Sequence, residues 1–236
     1  MFNNGLEVRT HFYSNCERIF NNNLNNNYEY LKSNLKLKYF NLKSDKLKLI
    51  IFYNAKCGCT SLKNFVYNIE ENTTYKGNNI HNHIGHFNQN KYFVTIENIY
   101  EKYPNYKKIL VFRNPLERII SFYKNKILIS KEDNHIDIDS LIMIDNNISF
   151  GKFIKLLEIV KPNKFQHHLI PQTTYINKDW IDEIIDLRDL NSFLSKYSDI
   201  NYCLNKTSKD INLEISEETI KIIKDIYKED YDFKLS

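Results

Sequence analysis

The sequence predicts an α/β fold, with a central parallel sheet flanked by helices. Twice along the chain, a short apolar run rich in isoleucine and aromatics leads within a few residues into a run with helical spacing, first from Leu47 and again from Lys107. Strands that alternate with helices in this way form parallel sheets. The 236 residues are 42% hydrophobic, which is enough for one sizeable core. We therefore expect a single domain over residues 1–236, with residues 1–45 as a less ordered, Asn-rich N-terminal extension that contains the run NNNLNNN.

Composition limits the classes of protein to consider. The formal charge of +4 suits an anionic ligand but falls short of the dense basic patches of a nucleic-acid-binding protein. The irregular spacing of Cys16, Cys57, Cys59 and Cys203 indicates reduced thiols and not a disulfide framework. The sequence shows neither a signal-peptide pattern nor an apolar run long enough to span a membrane, so we expect a cytoplasmic protein.

The first strand and helix are read from periodicity. The run LKLIIFYN, Leu47 to Asn54, predicts a buried strand. After a loop, apolar residues recur at helical spacing, so that the loop opens a helix; they are Leu62, Phe65, Val66 and Ile69.

The second strand and helix repeat this order. KKILVFRN, Lys107 to Asn114, predicts a strand, and Pro115 is suited to the first turn of the helix that follows. That helix carries the apolar stripe Leu116, Ile119, Ile120, Tyr123 and Ile127. Further helices are expected at Phe150 to Val160 and, with Ser216 as N-cap, at Glu217 to Tyr231.

The first loop, AKCGCTS, has the chemistry of an anion cradle. A helix N-terminus beyond the carboxyl end of a strand offers free N–H groups. Gly58 lets the backbone approach an anion, Thr60 and Ser61 add hydroxyl donors, and Lys56 adds a positive charge. The loop lacks the G-x-x-x-x-G-K-[ST] pattern of nucleotide P-loops and the C-x-x-C spacing of redox sites. The alternative is a strand-to-helix turn that binds no ligand.

The second strand ends with a complementary group. Arg113 lies at its carboxyl end, and Arg118, Ser121 and Asn125 follow at helical spacing on the side away from the apolar stripe. Arg113 and Ser121 could hold a second phosphate, since a guanidinium binds phosphate with two hydrogen bonds. Two anion sites on neighbouring strands predict a ligand with two phosphates. The alternatives are a surface salt bridge for Arg113 and a solvated helix face for Ser121.

Taken together, these segments resemble the carbohydrate sulfotransferases, whose donor is 3′-phosphoadenosine-5′-phosphosulfate (PAPS). NAKCGCTSLKNF (54–65) is similar to the family's 5′-phosphosulfate loop, and VFRNPLERIISFYKNK (111–126) to its 3′-phosphate segment. HHLIPQ (167–172) is similar to the H-W-x-P-Q element, and IYKEDYDFKL (226–235) to the C-terminal Y-x-x-D-(F/Y)-x-x-F segment. The resemblance runs from about Leu47 to the C-terminus.

The resemblance implies a P-loop-like α/β fold and transfer of a sulfuryl group from PAPS to a hydroxyl of a glycan or related acceptor. Lys56 would neutralise charge on the departing phosphate, without a metal. The residues implied in donor binding are Lys56, Cys57, Gly58, Cys59, Thr60 and Ser61 for the 5′-phosphate, and Arg113 and Ser121 for the 3′-phosphate.

A base for the acceptor hydroxyl is sought among the histidines of NNIHNHIGHFN. This stretch resembles the H-x-H segment of uronyl 2-O-sulfotransferases, which implies His83 first and His81 second as the catalytic base. A zinc site that includes His86, polar loop histidines without a role, and a carboxylate base elsewhere in the chain are the alternatives.

Two residues depart from the family's pattern in the region that recognises the acceptor. Leu169 stands where the family has tryptophan, and Arg188 stands in place of an acidic residue. No segment resembles the membrane anchor typical of Golgi members, so we expect either a cytoplasmic enzyme with an atypical acceptor or a chain that reaches its acceptor by some other route. Two other functions remain open: a small-molecule P-loop kinase, and an inactive nucleotide- or metal-binding protein on the same scaffold.

Overall fold

A computed structural model describes residues 40–77, 79–84, 89–95, 99–129, 148–160, 162, 167–174, 176–200, 202 and 212–235. The chain divides into two units, Met1–Phe40 and Asn41–Ser236, and nearly all the described residues belong to the second. The Asn-rich extension, Cys16, Cys203 and His86 lie outside the described residues, and the single domain over residues 1–236 stays a prediction. Within the described ranges, no helix is both long and apolar enough to cross a membrane.

The sheet of the described region has five strands in the order β3-β1-β2-β4-β5. They are β1 (Phe40–Ser44), β2 (Leu49–Tyr53), β3 (Phe93–Thr95), β4 (Lys107–Phe112) and β5 (Glu183–Asp186). β2, β4 and β5 run parallel, which confirms the predicted α/β fold. β1 differs, because it pairs antiparallel with β2. The four residues between β1 and β2 are too few for the crossover that a parallel pair requires.

Helices flank the sheet. They are α1 (Cys59–Glu71), α2 (Ile80–Asn82), α3 (Gln89–Tyr92), α4 (Ile99–Lys102), α5 (Pro115–Phe122), α6 (Phe150–Val160), α7 (Leu190–Leu194), α8 (Glu217–Ile226) and α9 (Lys228–Leu235). A π-helix, Tyr123–Ile129, continues α5, and single 3₁₀ turns occupy His167–Leu169, Lys178–Trp180 and Leu187–Asp189.

The predicted C-terminal helix over Glu217 to Tyr231 is in fact two helices. Tyr227 leaves the helical conformation, with φ −109° and ψ 29°, and so ends α8. Its side chain is fully buried, and its hydroxyl donates to the carbonyl of Leu169 at 2.7 Å. The break therefore coincides with a tertiary contact that local sequence does not reveal.

The central strands place the two predicted anion segments side by side. Ile50, Phe52, Leu110 and Phe112 are at most 1% exposed, as expected for strands covered on both faces. Tyr53 is paired in parallel with Val111, so both strands reach the same edge of the sheet. The loops that follow β2 and β4 consequently leave the sheet next to each other.

Candidate active site

The loop after β2 adopts a backbone shape suited to an anion. Lys56 and Gly58 both have left-handed backbone conformations, with φ 67° and 76°. Gly58 is the N-cap of α1, and as a glycine it has no side chain with which to cap this helix end. The N–H groups in the first turn of a helix have no hydrogen-bond partners within that helix. In α1 the hydrogen bonds within the helix begin with the N–H of Leu62, which donates to the carbonyl of Gly58 at 3.0 Å. Consecutive N–H groups in such a turn form an anion-binding concavity.

Gly58 is confined on its other side. A Cβ atom added there would lie 2.9 Å from side-chain carbons of both Leu187 and Leu190. The loop is thus pressed against the segment that follows β5, and only a glycine fits both the space and the backbone conformation.

Arg113 joins this loop to the end of β4. Its Nη1 donates to the carbonyl oxygen of Lys56 at 3.0 Å, across 57 residues of chain. Its Nε is buried and makes no hydrogen bond to any residue that the structure describes, and the carboxylate of Glu117 forms a long ion pair with it at 3.9 Å. Burial lowers the pKa of Arg113, a sign that its charge is poorly solvated. An anion at this point would give the Nε–H group a hydrogen bond that none of the described residues provides.

Lys56 extends the positive charge across the site. Its ammonium donates to Oδ1 of Asn125 at 3.0 Å. Burial lowers the pKa of Lys56, and the charges of Lys126 and Arg113 lower it further. The π-helix that follows α5 carries Asn125 and Lys126 to this position, and such helical irregularities often occur at functional sites.

The predicted polar face of α5 is buried. Arg118 is 1% exposed and Ser121 8% exposed, so a solvated face does not explain them. Arg118 donates to the carbonyl of Ile170 at 2.6 Å and lies over the ring of Tyr227. Ser121 lies one turn beyond Arg118 and about one turn before Asn125, which contacts Lys56.

The two cysteines of the loop have different surroundings. Cys57 is fully buried, and its thiol donates to Oε1 of Gln172 at 3.1 Å. Burial raises the pKa of Cys57 to about 12, so the group stays a thiol. The Cys57 N–H donates to the carbonyl of Asn54 and is not available to an anion. Cys59, the first residue of α1, is half-buried.

His81 lies at the loop, whereas His83 does not. Nε2 of His81 is 2.9 Å from the hydroxyl of Thr60, and Nδ1 is 2.9 Å from the ammonium of Lys63. His83 packs instead between the rings of Tyr67 and Tyr75, at 5.3 and 5.1 Å between ring centroids. Of the two histidines, His81 is therefore the one in contact with the loop, and the order that the family resemblance implied for the base stays a prediction.

The zinc alternative finds no ligand group among the described residues. Nowhere in those ranges do three His, Cys, Asp or Glu side chains lie together so that they could hold a metal ion. Lys63, not an acid or a third histidine, is the second partner of His81.

Comparison with models of protein families shows the family to which the chain belongs. The model described as "Sulfotransferase family" matches residues 39–233, which is most of the chain. The chain belongs to the sulfotransferase family. Searches of curated proteins and of solved structures gave no match.

Sequence reasoning missed two buried residues behind the site of this sulfotransferase. Gln172 pairs with the backbone of Arg113 through both atoms of its side-chain amide, and Asp230 is fully buried where it accepts hydrogen bonds from Gln172 and Thr173. Both residues lie in sequence fragments that resemble the family, namely HHLIPQ and the C-terminal segment. A buried carboxylate cannot be foreseen from a surface-like stretch such as YKEDYD, so the family pattern was the available signal.

Proposed function

We propose that this sulfotransferase uses PAPS as its donor and transfers the sulfuryl group to a hydroxyl of a carbohydrate or related acceptor. The observation that carries the proposal is the hydrogen bond from the guanidinium of Arg113 to the carbonyl of Lys56, at 3.0 Å. Two cationic segments, each suited to one phosphate, therefore meet at one edge of the sheet. A donor with a 5′-phosphosulfate and a 3′-phosphate has the charges to bind both.

The chain's own groups fit such a donor. The uncapped start of α1 would hold the 5′-phosphate, through the backbone from Gly58 and the hydroxyls of Thr60 and Ser61. The buried Nε of Arg113, which makes no hydrogen bond within the described part of the chain, would hold the 3′-phosphate, together with Ser121 on α5, the helix that follows Arg113. Ser61 and Ser121 are both buried, which limits competition from water.

The reaction needs positioning and charge stabilisation more than covalent catalysis. The bond between sulfur and the 5′-phosphate oxygen breaks, a bond from sulfur to the acceptor oxygen forms, and the acceptor proton passes to a base. Lys56 is the cation suited to the charge that develops on the departing phosphate. Asn125 fixes its ammonium at the loop by accepting a hydrogen bond from it.

His81 is the base that the geometry favours. Lysine can only donate, so Nδ1 of His81 accepts from Lys63, and Nε2 of the neutral ring carries the proton and donates to Thr60. The lone pair of the ring is therefore at Nδ1, and His81 takes the proton of the acceptor hydroxyl there when that hydroxyl replaces the ammonium of Lys63. Burial, followed by the charge of Lys63, lowers the pKa of His81 to about 4. A negatively charged donor in the adjacent loop would raise this pKa towards the range of a useful base.

Calorimetric binding of adenosine 3′,5′-bisphosphate (PAP), ATP and ADP tests the donor. We expect PAP to bind at least tenfold more tightly than ATP, and Arg113→Ala to lose this preference. Lys221→Ala, which removes one positive charge from the exposed face of α8, is the matched control and should keep it. A preference for ATP would instead favour a small-molecule kinase. PAP binding without sulfuryl transfer to any glycan would favour an inactive binding protein.

A further inference from the structure

We propose that Gln172 is a positioning residue that holds the Lys56–Ser61 loop and Arg113 at the spacing that a two-phosphate donor requires, and that Asp230 holds Gln172. The inference rests on the proposed function and deepens it, since it assigns the fixed spacing of the two phosphate subsites to one buried amide. Gln172 itself is 1% exposed and lies behind the site.

The amide of Gln172 is fully used. Its Oε1 accepts from the N–H of Arg113 at 3.0 Å and from the thiol of Cys57 at 3.1 Å. Its Nε2 donates to the carbonyl of Arg113 at 2.8 Å and to Asp230 at 3.3 Å. An amide has two acceptor and two donor positions, and all four have partners here.

The pattern of these bonds is that of a sheet. β4 ends at Phe112, and the next residue, Arg113, pairs both its N–H and its carbonyl with Gln172. The side-chain amide thus takes the place of a neighbouring strand for one residue. This fixes the backbone of Arg113, and with it the direction in which the guanidinium leaves the sheet.

The same residue also holds the first loop. The thiol of Cys57 donates to the side chain of Gln172, and Nδ2 of Asn54 donates to its backbone carbonyl at 3.1 Å. Asn54 and Cys57 flank the start of the loop, and the N–H of Cys57 closes the turn onto Asn54. Gln172 therefore touches both phosphate segments from one fixed point.

Asp230 supplies that fixed point. The carboxylate is 0% exposed, and one oxygen accepts from the N–H of Gln172 at 2.9 Å and from its Nε2. The other oxygen accepts from the N–H and the hydroxyl of Thr173, at 3.0 and 2.9 Å. A buried carboxylate is retained only where such donors compensate its lost hydration.

Two further buried side chains anchor the residues before Gln172. Arg118 donates to the carbonyl of Ile170 at 2.6 Å, and Tyr227 donates to that of Leu169 at 2.7 Å. The segment is thereby tied to α5, which belongs to the 3′-phosphate segment, and to the end of α8, so Gln172 keeps its place relative to the 3′-phosphate segment and holds the first loop at that distance. A ligand with two linked phosphates gains affinity only when both subsites stand at the correct spacing.

The test compares one ligand that spans both subsites with two that do not. We would measure the binding of PAP, adenosine 5′-monophosphate and adenosine 3′-monophosphate to the wild type and to Gln172→Met, which keeps the length of the side chain without its hydrogen bonds. We expect PAP affinity to fall at least tenfold and each monophosphate to change by less than threefold. The KM for PAPS should rise more than kcat falls.

Other outcomes overturn the inference. If PAP affinity stays within threefold of wild type, Gln172 does not set the spacing. If all three ligands weaken equally, or only one monophosphate does, Gln172 maintains the fold or a single subsite. If the wild type binds no PAP, the proposed function fails first and the inference with it, which separates the two failures.

Two further variants distinguish the proposed role of Gln172 from a general loss of folding. Asp230→Asn should give the same selective loss of PAP affinity, even if Gln172→Met does not fold. Leu157→Ala, in the buried face of α6, lowers stability without touching the network and should leave all three affinities unchanged. If Leu157→Ala reproduces the selective loss, general destabilisation explains the effect and the inference is wrong.

Discussion

Nε2 of His81 and the hydroxyl oxygen of Thr60 lie 2.9 Å apart. This contact links the histidine segment that follows α1 to the first turn of α1 itself. Because Lys63 occupies the other ring nitrogen, the imidazole is held in one tautomer and one orientation at the loop. A candidate base and the candidate 5′-phosphate subsite are therefore parts of the same hydrogen-bonded unit.

Replacing Lys56 tests whether its ammonium stabilises the negative charge that develops on the departing phosphate. We expect Lys56→Ala to lower kcat by about 10²- to 10³-fold, the usual effect of removing one such stabiliser. PAP affinity should change less than tenfold, because backbone N–H groups and Arg113 remain. Initial rates at saturating PAPS and calorimetry separate the two quantities. Lys224→Ala, on the exposed face of α8, is the control, and unchanged turnover in Lys56→Ala would refute the role.

The two histidines give a matched pair of variants. His81→Asn should lower kcat at least a hundredfold, because the group bonded to Thr60 is lost. His83→Asn should act on stability more than on turnover, since His83 packs against Tyr67 and Tyr75. Steady-state rates and thermal unfolding of both proteins check this. The reverse result would restore His83 as the base.

The acidity of His81 offers a test by pH. The pKa of about 4 means that the free protein keeps this ring neutral down to mildly acidic pH. PAP binding should raise the pKa, because a nearby negative charge favours the protonated ring. Lys63→Met should also raise it, since a positive neighbour is removed, but not to the ordinary value, because burial remains. Nitrogen-15 NMR titration of His81 measures both shifts.

The pH dependence of the rate follows with a fixed sign. Below its pKa, the protonated ring cannot accept the proton of the acceptor hydroxyl, so kcat falls as pH falls through the pKa of the donor-bound enzyme. The acid limb should therefore move to higher pH in Lys63→Met. An acid limb at the same pH in both proteins would show that His81 is not the titrating base.

Gly58 and Gly151 form a contrasting pair for stability. Gly58→Ala places a Cβ on a residue with φ 76° and 2.9 Å from Leu187 and Leu190, so we expect a loss of at least about 1–2 kcal/mol. Gly151 lies in α6, where, among the described residues, an added Cβ would meet only Thr219, at 3.7 Å. Gly151→Ala should stabilise by about 0.5–1 kcal/mol. Urea unfolding of both proteins measures the difference, and equal effects would contradict the confinement of Gly58.

Periodicity predicted the central strands because they are buried on both faces. The apolar runs at Leu47 to Asn54 and Lys107 to Asn114 became β2 and β4, and α6 has the predicted bounds. Periodicity did not predict β5, EIID, because two of its four residues are acidic and only Ile185 of the four is buried, so the strand lacks an apolar run. β1 runs antiparallel to β2 because only four residues connect the two strands, and the composition of β1 does not reveal this direction.

The residues of the candidate site that would bind the donor could be predicted from the sequence, but the buried residues that hold them in place could not. The loop and Arg113 carry local signals, namely a glycine between polar residues and an arginine at a strand end. Gln172 and Asp230 act through contacts 59 and 58 residues away in sequence, which no local pattern encodes. The burial of Arg118, on the side of α5 away from the apolar stripe, could not be predicted because its partner Ile170 lies 52 residues further on.

The bonds of Gln172 also determine when the site can exist during synthesis. The chain reaches Cys57 early, but its partner Gln172 follows 115 residues later, and Asp230 another 58 residues after that. Strands β2 and β4 can pair on the ribosome well before the last helix emerges. Full donor affinity would then arise only after Asp230 has been synthesised, so a nascent chain that stops short of this residue holds the donor less tightly.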